Sequence, residues 1–335
     1  MTIERKVGMG IAGQPSGATD VAEVFSTDCW AASTTTDSTE TINNGLDLSG
    51  EGGLVWIKNR NEDYDHRLTD TERGVQKQLR TNETAAQNTY TKETVSAFNS
   101  NGFSSTVFQN NIYASWSFRK APKFFDVVTV TTGNSTNTRH SHNLGSVPGL
   151  IIGKNYNGTG QWYSYHRSLG RNKHVRLNGA NAATTSTDIW GTSDPTDTDF
   201  GVNDSSSGFG NMGAMVYYLF ADNSSEDADD QMIKCGSFTG NSSTLQDINL
   251  GWEPQFLILK NASASGGWYM WDSMRGWLGG ANNGDGHPLY SNTASAEFNN
   301  DDVGLLSNGF QVADALNPNP YPAQLHIYMA IRAPM

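Results

Sequence analysis

The sequence predicts a mainly β fold: three tandem β-sandwich domains of jelly-roll type behind an N-terminal anchor segment. Three observations lead there. First, the chain repeats itself. Leu48 to Asn59 reads LSGEGGLVWIKN, Leu144 to Asn155 reads LGSVPGLIIGKN, and Leu250 to Asn261 reads LGWEPQFLILKN. Lys58, Lys154 and Lys260 stand 96 and 106 residues apart, periods that are domain-sized rather than solenoid-sized. Second, the apolar runs Leu54-Val55-Trp56-Ile57, Leu150-Ile151-Ile152 and Phe256-Leu257-Ile258-Leu259 are short, unbroken and bounded by Gly or Pro. Strands covered on both faces have that pattern. Third, the surrounding sequence is rich in Thr, Ser, Asn and Gly, which favour extended backbone and turns over helix.

Residues 1–20 lie outside the repeat, and their Gly-rich, weakly apolar character suits a segment that orders on a partner, here read as an anchor. The copies then occupy residues 21–122, 123–224 and 231–335. In each, a glycine follows the lysine by 16 residues: Gly74, Gly170 and Gly276. A glycine fixed between strand and loop points to a positive φ. Copies one and three precede it with Asp-Ser/Thr-x-Arg, as Asp70 with Arg73 and Asp272 with Arg275, where copy two has His166 and Leu169. On a turn, residues i and i+3 meet, so each Asp and Arg should form a charge-assisted pair that fixes a loop. Asp70 as an N-cap, with Gln76 to Leu79 after it, predicts one short helix over 70–80. Each copy closes on an aromatic strand, around Trp116, Tyr217 and Tyr328. Ala121-Pro122-Lys123 and the acidic stretch Asp222 to Asp230 read as exposed linkers between copies.

Composition narrows the function. The chain has 22 basic against 34 acidic residues, a net charge of −12, which disfavours binding a polyanion because phosphate neutralisation needs clustered Lys and Arg. Charged residues make up only 17% and aromatics 10%, the reverse of a disordered chain, so real cores are expected. No apolar run approaches the roughly 20 residues of a membrane-spanning helix. The opening residues lack the apolar stretch of a secretory signal, which predicts synthesis in a cytoplasm, with release by lysis. Cys29 and Cys235 are too few for a disulfide framework and read as small buried hydrophobes.

A search for catalytic constellations assigns no catalytic residue, and the chain reads as a non-enzyme. Glycoside hydrolysis needs two carboxylates aimed into one cleft. Asp63 and Asp65 share a strand face, but the other copies have Gly158-Thr159-Gly160-Gln161 and Ser263-Ala264-Ser265-Gly266 there, so a solvated turn accounts for them. His140 and His142 lack a third metal ligand nearby in sequence, and neither a nucleophile elbow nor a phosphate loop is present. No cofactor is implied, although Asp194, Asp197 and Asp199, or Asp227, Asp229 and Asp230, offer oxygen ligands for Ca2+ at a spacing unlike the EF-hand. Trp162, Tyr163, Tyr165, Trp268, Tyr269 and Trp271 offer aromatic density for a glycan or a protein interface. Strand alternation allows only one face of each set to bind.

The opening Arg5 to Pro15, the strand Gly53 to Lys58, and Asn143 to Gly149 followed by Tyr165 to Gly170 resemble repeat-bearing virion structural proteins of marine tailed phages, cyanophages among them. Those repeats are similar to concanavalin-A-like lectin and glucanase sandwiches. The resemblance implies a non-enzymatic virion component, assembled in the host cytoplasm and exposed on the particle surface. A tail fibre or tail-tip adhesin contacting the host surface is the leading reading. A capsid decoration or knob protein, or a polysaccharide depolymerase of glucanase type, are the alternatives. Expected partners are other virion proteins through the N-terminal segment, further copies of the chain, as a trimer in a tail fibre, and a host surface glycan. Neither nucleic acid nor a membrane span is expected.

Overall fold

The computed structural model describes residues 19–131, 137–203, 213–224, 226–227, 230–240, 245–282, 286–313 and 324–334. The expected anchor therefore lies almost wholly outside the described residues. The fold is mainly β, built of antiparallel sheets, with no α-helix among the described residues.

Copy one contributes β1 (Phe25–Ala31), β2 (Ser38–Asn43), β3 (Gly53–Asn59), β4 (Arg67–Asp70), β5 (Lys77–Gln78), β6 (Asn88–Thr89), β7 (Thr94–Asn99), β8 (Gly102–Val107) and β9 (Ile112–Arg119). Copy two contributes β10 (Phe125–Thr131), β11 (Thr138–Ser141), β12 (Pro148–Asn155), β13 (Tyr163–His166), β14 (Lys173–Arg176), β15 (Thr184–Thr185), β16 (Asp199–Val202) and β17 (Ala214–Ala221). Copy three contributes β18 (Ile233–Thr239), β19 (Leu245–Asn249), β20 (Pro254–Asn261), β21 (Trp268–Asp272), β22 (Leu289–Tyr290), β23 (Val303–Leu306), β24 (Gly309–Ala313) and β25 (Leu325–Arg332).

One topology recurs. The first strand of a copy pairs with its last, the last with the lysine-bearing strand, and that strand with the next, giving β1-β9-β3-β4, β10-β17-β12-β13-β14-β15 and β18-β25-β20-β21-β22. A smaller sheet lies beside each: β2-β8-β7, β11-β16 and β19-β24-β23. Every residue of the lysine strands β3, β12 and β20 is buried. Alternation explains how both faces are covered. In β3, Val55 and Ile57 pack with Phe103 and Val107 of the copy's own second sheet. Leu54 and Trp56 turn the other way, into a core shared by all three copies. In β20, Leu257 and Leu259 face Phe310 while Phe256 and Ile258 enter the shared core.

At the centre of that core, equivalent strand ends meet. Phe118 lies 5.6 Å from Phe125 and 5.3 Å from Phe220, and Phe25 lies 5.6 Å from Phe256. The ladders place these rings at one register: Phe25 opposite Phe118, Phe125 opposite Phe220, and Ile233 opposite Ile331 beside Phe256. The three main sheets converge on a common apolar plug.

One local expectation is refined and one is corrected. Pro122, Lys123, Ser224, Asp227 and Asp230 of the connections are exposed as expected, but the residues around them are docked. Ala121 and Phe124 flanking Pro122 are buried. Asn223 is buried too, and its side chain accepts from Met232 N and Ile233 N while donating to the Lys123 carbonyl at 2.8 Å. Each such bond satisfies a backbone group that an exposed tether would leave to water. Residues 70–80 form a tight turn and β5 instead of a helix. Gly74 at φ +92 and Gln76 at φ +62 are left-handed, which stops helical propagation.

Candidate functional site

Asp70 ends β4 and Asp272 ends β21. Each carboxylate accepts the backbone N–H three residues on, from Arg73 at 2.9 Å and Arg275 at 3.0 Å, and pairs with the same arginine's Nε at 2.6 Å. The left-handed Gly74, Gly170 and Gly276, at φ +92, +71 and +90, turn the chain away immediately afterwards. The rest of each guanidinium is spent on carbonyls, of Lys77 and Leu68 for Arg73, and of His287 and Met270 for Arg275. Burial works against the Arg73 charge, but Asp70 beside it holds the guanidinium above its ordinary range. In copy two, His166 fills the Asp position, and its Nδ1 accepts from Ser168 N at 3.2 Å.

The same residues reach the next copy. Tyr218 Oη of copy two donates to Asp70 Oδ2 at 2.8 Å and accepts from Arg73 at 3.1 Å. Trp116 Nε1 of copy one donates to Asp272 Oδ2 of copy three at 2.9 Å, and the Arg275 guanidinium lies over its ring. His166 Nε2 stands 3.1 Å from the Tyr328 carbonyl of copy three. Trp116, Tyr218 and Met329 occupy one register position, opposite Trp56, Ile152 and Ile258. Two of them carry a hydrogen to donate and face a carboxylate. Met329 has none, and the copy facing it carries a histidine that donates to backbone instead. Burial lowers the His166 pKa to about 4, so the ring is neutral near pH 7. With Nδ1 accepting, Nε2 carries the proton.

A second line of contacts repeats around the molecule. Gln87 N donates to Tyr156 O at 2.8 Å, Ala183 N to Ala262 O at 2.9 Å, and Glu297 N to Arg60 O at 2.9 Å. Copy one thus meets two, two meets three, and three meets one through equivalent bonds: the copies form a closed ring. The buried Trp162 and Trp268 donate their indole N–H to the preceding copy, to Arg80 O at 3.0 Å and Arg176 O at 2.9 Å. Copy one has His66 there, enclosed and held well below its ordinary pKa by burial, with its Nδ1 accepting from Trp56 Nε1 at 2.9 Å. The fully buried repeat lysines belong to the same system. Lys154 Nζ donates to Asn155 O, Gly158 O and, across the seam, Thr84 O; Lys260 Nζ donates to Gly266 O and, across the seam, Ala180 O. Burial pulls Lys58, Lys154 and Lys260 down to about 8. At the closing seam an ion pair is added: Arg60 holds Glu297 at 2.7 Å, and Arg275 reaches the same carboxylate.

The aromatic set divides. Trp162, Tyr165, Trp268 and Trp271 are buried, so no sugar ring can stack on them, which corrects that part of the sequence reading. Aromatic area at strand spacing went into the core and the seams, where it displaces more water than at the surface. Tyr163 and Tyr269 remain half-buried. Of the acidic loops, Asp199 is taken by Arg139 and Thr196, and Asp194 faces Arg171 at 3.6 Å. Asp229 lies outside the described residues, and among those described no group of three or more His, Cys, Asp or Glu could hold a metal ion. His140 packs on Phe200 and Tyr217. Burial pushes the Cys29 thiol up to about 12 and Cys235 higher still, so both are inert thiols. Sequence reasoning missed Arg60, Glu297, Trp116 and Tyr218. Their only signal was the alternation of Trp, Tyr and Met at one strand position against Asp, His and Asp at another.

The buried Asp70–Arg73 and Asp272–Arg275 charges are matched within the chain. A family model described as a domain of unknown function, DUF7483, matches residues 22–124 and residues 121–333. No curated protein matches the chain. From the start of copy one to the end of copy three, the chain belongs to the DUF7483 family.

Proposed function

We propose that the chain is a non-enzymatic structural component of a tailed-phage virion, exposed on the particle surface as a tail fibre or tail-tip adhesin that contacts the host. One observation supports it above the others: the three copies close on one another through equivalent backbone bonds, with their Asp, Arg and Lys groups consumed in the seams. Such a body is a rigid platform whose remaining loops are free for contact. The resemblance of residues 5–15, 53–58, 143–149 and 165–170 to phage structural repeats supplies the particle, and residues 1–20 are the proposed attachment to other virion proteins. Counting copies per purified particle by quantitative mass spectrometry tests the reading. A handful per particle is expected. Hundreds would move the chain to the capsid surface, and none would remove it from the virion. Shortening of host polysaccharide by the purified chain would replace the adhesin with a depolymerase.

A further inference from the structure

We infer that copy three carries a small carbohydrate-binding recess, built on His326 and Tyr269, that receives a neutral hydroxyl or acetamido group of a saccharide. The inference deepens the host-contact reading above and rests on it for its biological setting. The recess lies beside the start of β25, has about 30 Å3 of free volume, and is bordered by Asn261, Gly266, Gly267, Tyr269 and His326. That is room for a water or two, or for one hydroxymethyl group.

The ladders show that this position differs in each copy. His326 pairs with Asn261 where copy one pairs Tyr113 with Asn59 and copy two pairs Met215 with Asn155. Tyr269 stands where copy one has Arg67 and copy two also has a tyrosine, Tyr163, in different surroundings. In copy one the place is filled: Arg67 pairs with Glu93 at 2.5 Å, and Tyr113 Oη donates to the same carboxylate. In copy two, Tyr163 packs edge-on against His174 with Arg176 over its ring. In copy three the imidazole stacks on Phe238 at 5.0 Å, which fixes its plane, and Nδ1 faces the Gln324 carbonyl at 3.2 Å. Nε2 is buried and has no hydrogen-bond partner among the described residues, although His326 is only 3% exposed. An imidazole that donates from Nδ1 presents Nε2 as an acceptor, suited to a hydroxyl or an amide N–H. Tyr269 is held in place by a hydrogen bond from Tyr290 Oη and by stacking on Trp271, leaving a half-buried ring at the rim.

The electrostatics select a neutral ligand. Lys260, behind the recess, has its ammonium engaged by Gly266 O and Ala180 O. Burial holds His326 below its ordinary pKa, and no charged side chain borders the recess among the described residues. An aromatic face beside an unpaired neutral acceptor matches the apolar C–H face and hydroxyls of a sugar, and offers nothing to an ion.

The full chain is screened on an array of neutral oligosaccharides, and the strongest binder is titrated by saturation-transfer NMR. Tyr269→Ala should weaken that binder about threefold to tenfold, the loss expected when one stacking contact is removed. Gly266→Val fills the recess without disturbing the backbone, because a Cβ there meets only Asn261 Cβ at 3.8 Å. It should abolish binding with an unchanged melting temperature. Undiminished binding by Gly266→Val, or no binding to any neutral oligosaccharide on the array, overturns the inference. Neither result alters the copy number on the particle, so failure here is separable from failure of the virion reading.

Discussion

Changing His166 to Asp would install, in copy two, the residue its two sister copies carry, at the one seam whose partner cannot donate to it. His166 is 1% exposed and faces the Tyr328 carbonyl; Leu169 stands where an arginine stands in the other copies. A fully buried carboxylate without a partner has its pKa raised by about 3–5 units. At about 1.4 kcal/mol per pH unit between the unfolded value near 3.9 and pH 7, this predicts a loss of about 4 kcal/mol at pH 7, a large part of the roughly 5–15 kcal/mol that holds a typical domain together. The sign with pH follows. The folded pKa lies above the unfolded value near 3.9, so the deficit against wild type is small in acid, grows as pH rises from about 4 towards the folded pKa, and levels off above it. Urea unfolding followed by the fluorescence of the nine tryptophans at pH 7 and pH 5 measures it. Adding Leu169→Arg supplies the missing cation, and the carbonyls it needs, of Lys173 and Ser164, occupy the places of those that Arg73 binds. The double variant should regain about 3 kcal/mol or more. A single-variant loss below about 1 kcal/mol, or a double variant no more stable than the single, would refute this account of the seam.

Trp116→Phe removes an indole donor to Asp272 and should cost about 1–3 kcal/mol, whereas Met329→Leu at the equivalent position should cost less than about 1.5 kcal/mol; equal losses in urea melts would count against the seam chemistry. Acid should weaken the fold between pH 6.5 and 4. Burial lowers His166 and His174 to about 4, so the unfolded chain takes up protons in that window and the folded one does not, worth about 3 kcal/mol for the enclosed His166. A flat stability profile over that range contradicts it. Gly74→Ala meets no atom within 4 Å, so its expected cost of about 1–2 kcal/mol is backbone strain alone, measurable as a shift in the urea midpoint.

Much of the fold was legible because it is written locally. The unbroken apolar runs at Leu54, Leu150 and Phe256 became strands buried on both faces, and the glycines 16 residues after each lysine sit at positive φ. Asp70 and Asp272 pair with their arginines at i+3, a distance any turn enforces. The seams were not legible. Tyr218 lies 148 residues from Asp70, and Trp116 lies 156 from Asp272; neither spacing follows from a periodicity. Aromatic residues misled for a related reason: Trp162 and Tyr163 look alike in composition, and only the neighbouring copy decides that Trp162 is enclosed while Tyr163 is half-buried. The predicted helix failed at Gln76, a residue with ordinary helical propensity that the β5–β6 pairing holds in a left-handed conformation.

Tandem homologous units share a hazard: a strand or loop of one can settle against the wrong sister, within a chain or between crowded chains emerging together from ribosomes. Here a carboxylate awaits a phenol at one boundary, an imidazole awaits a bare carbonyl at another, and a carboxylate awaits an indole at the last. Shuffling any two units would strand a buried charge or an orphaned donor. Divergence at those few positions thus works as an address code, which lets homologous modules find their order and keeps one molecule from tangling with its neighbour.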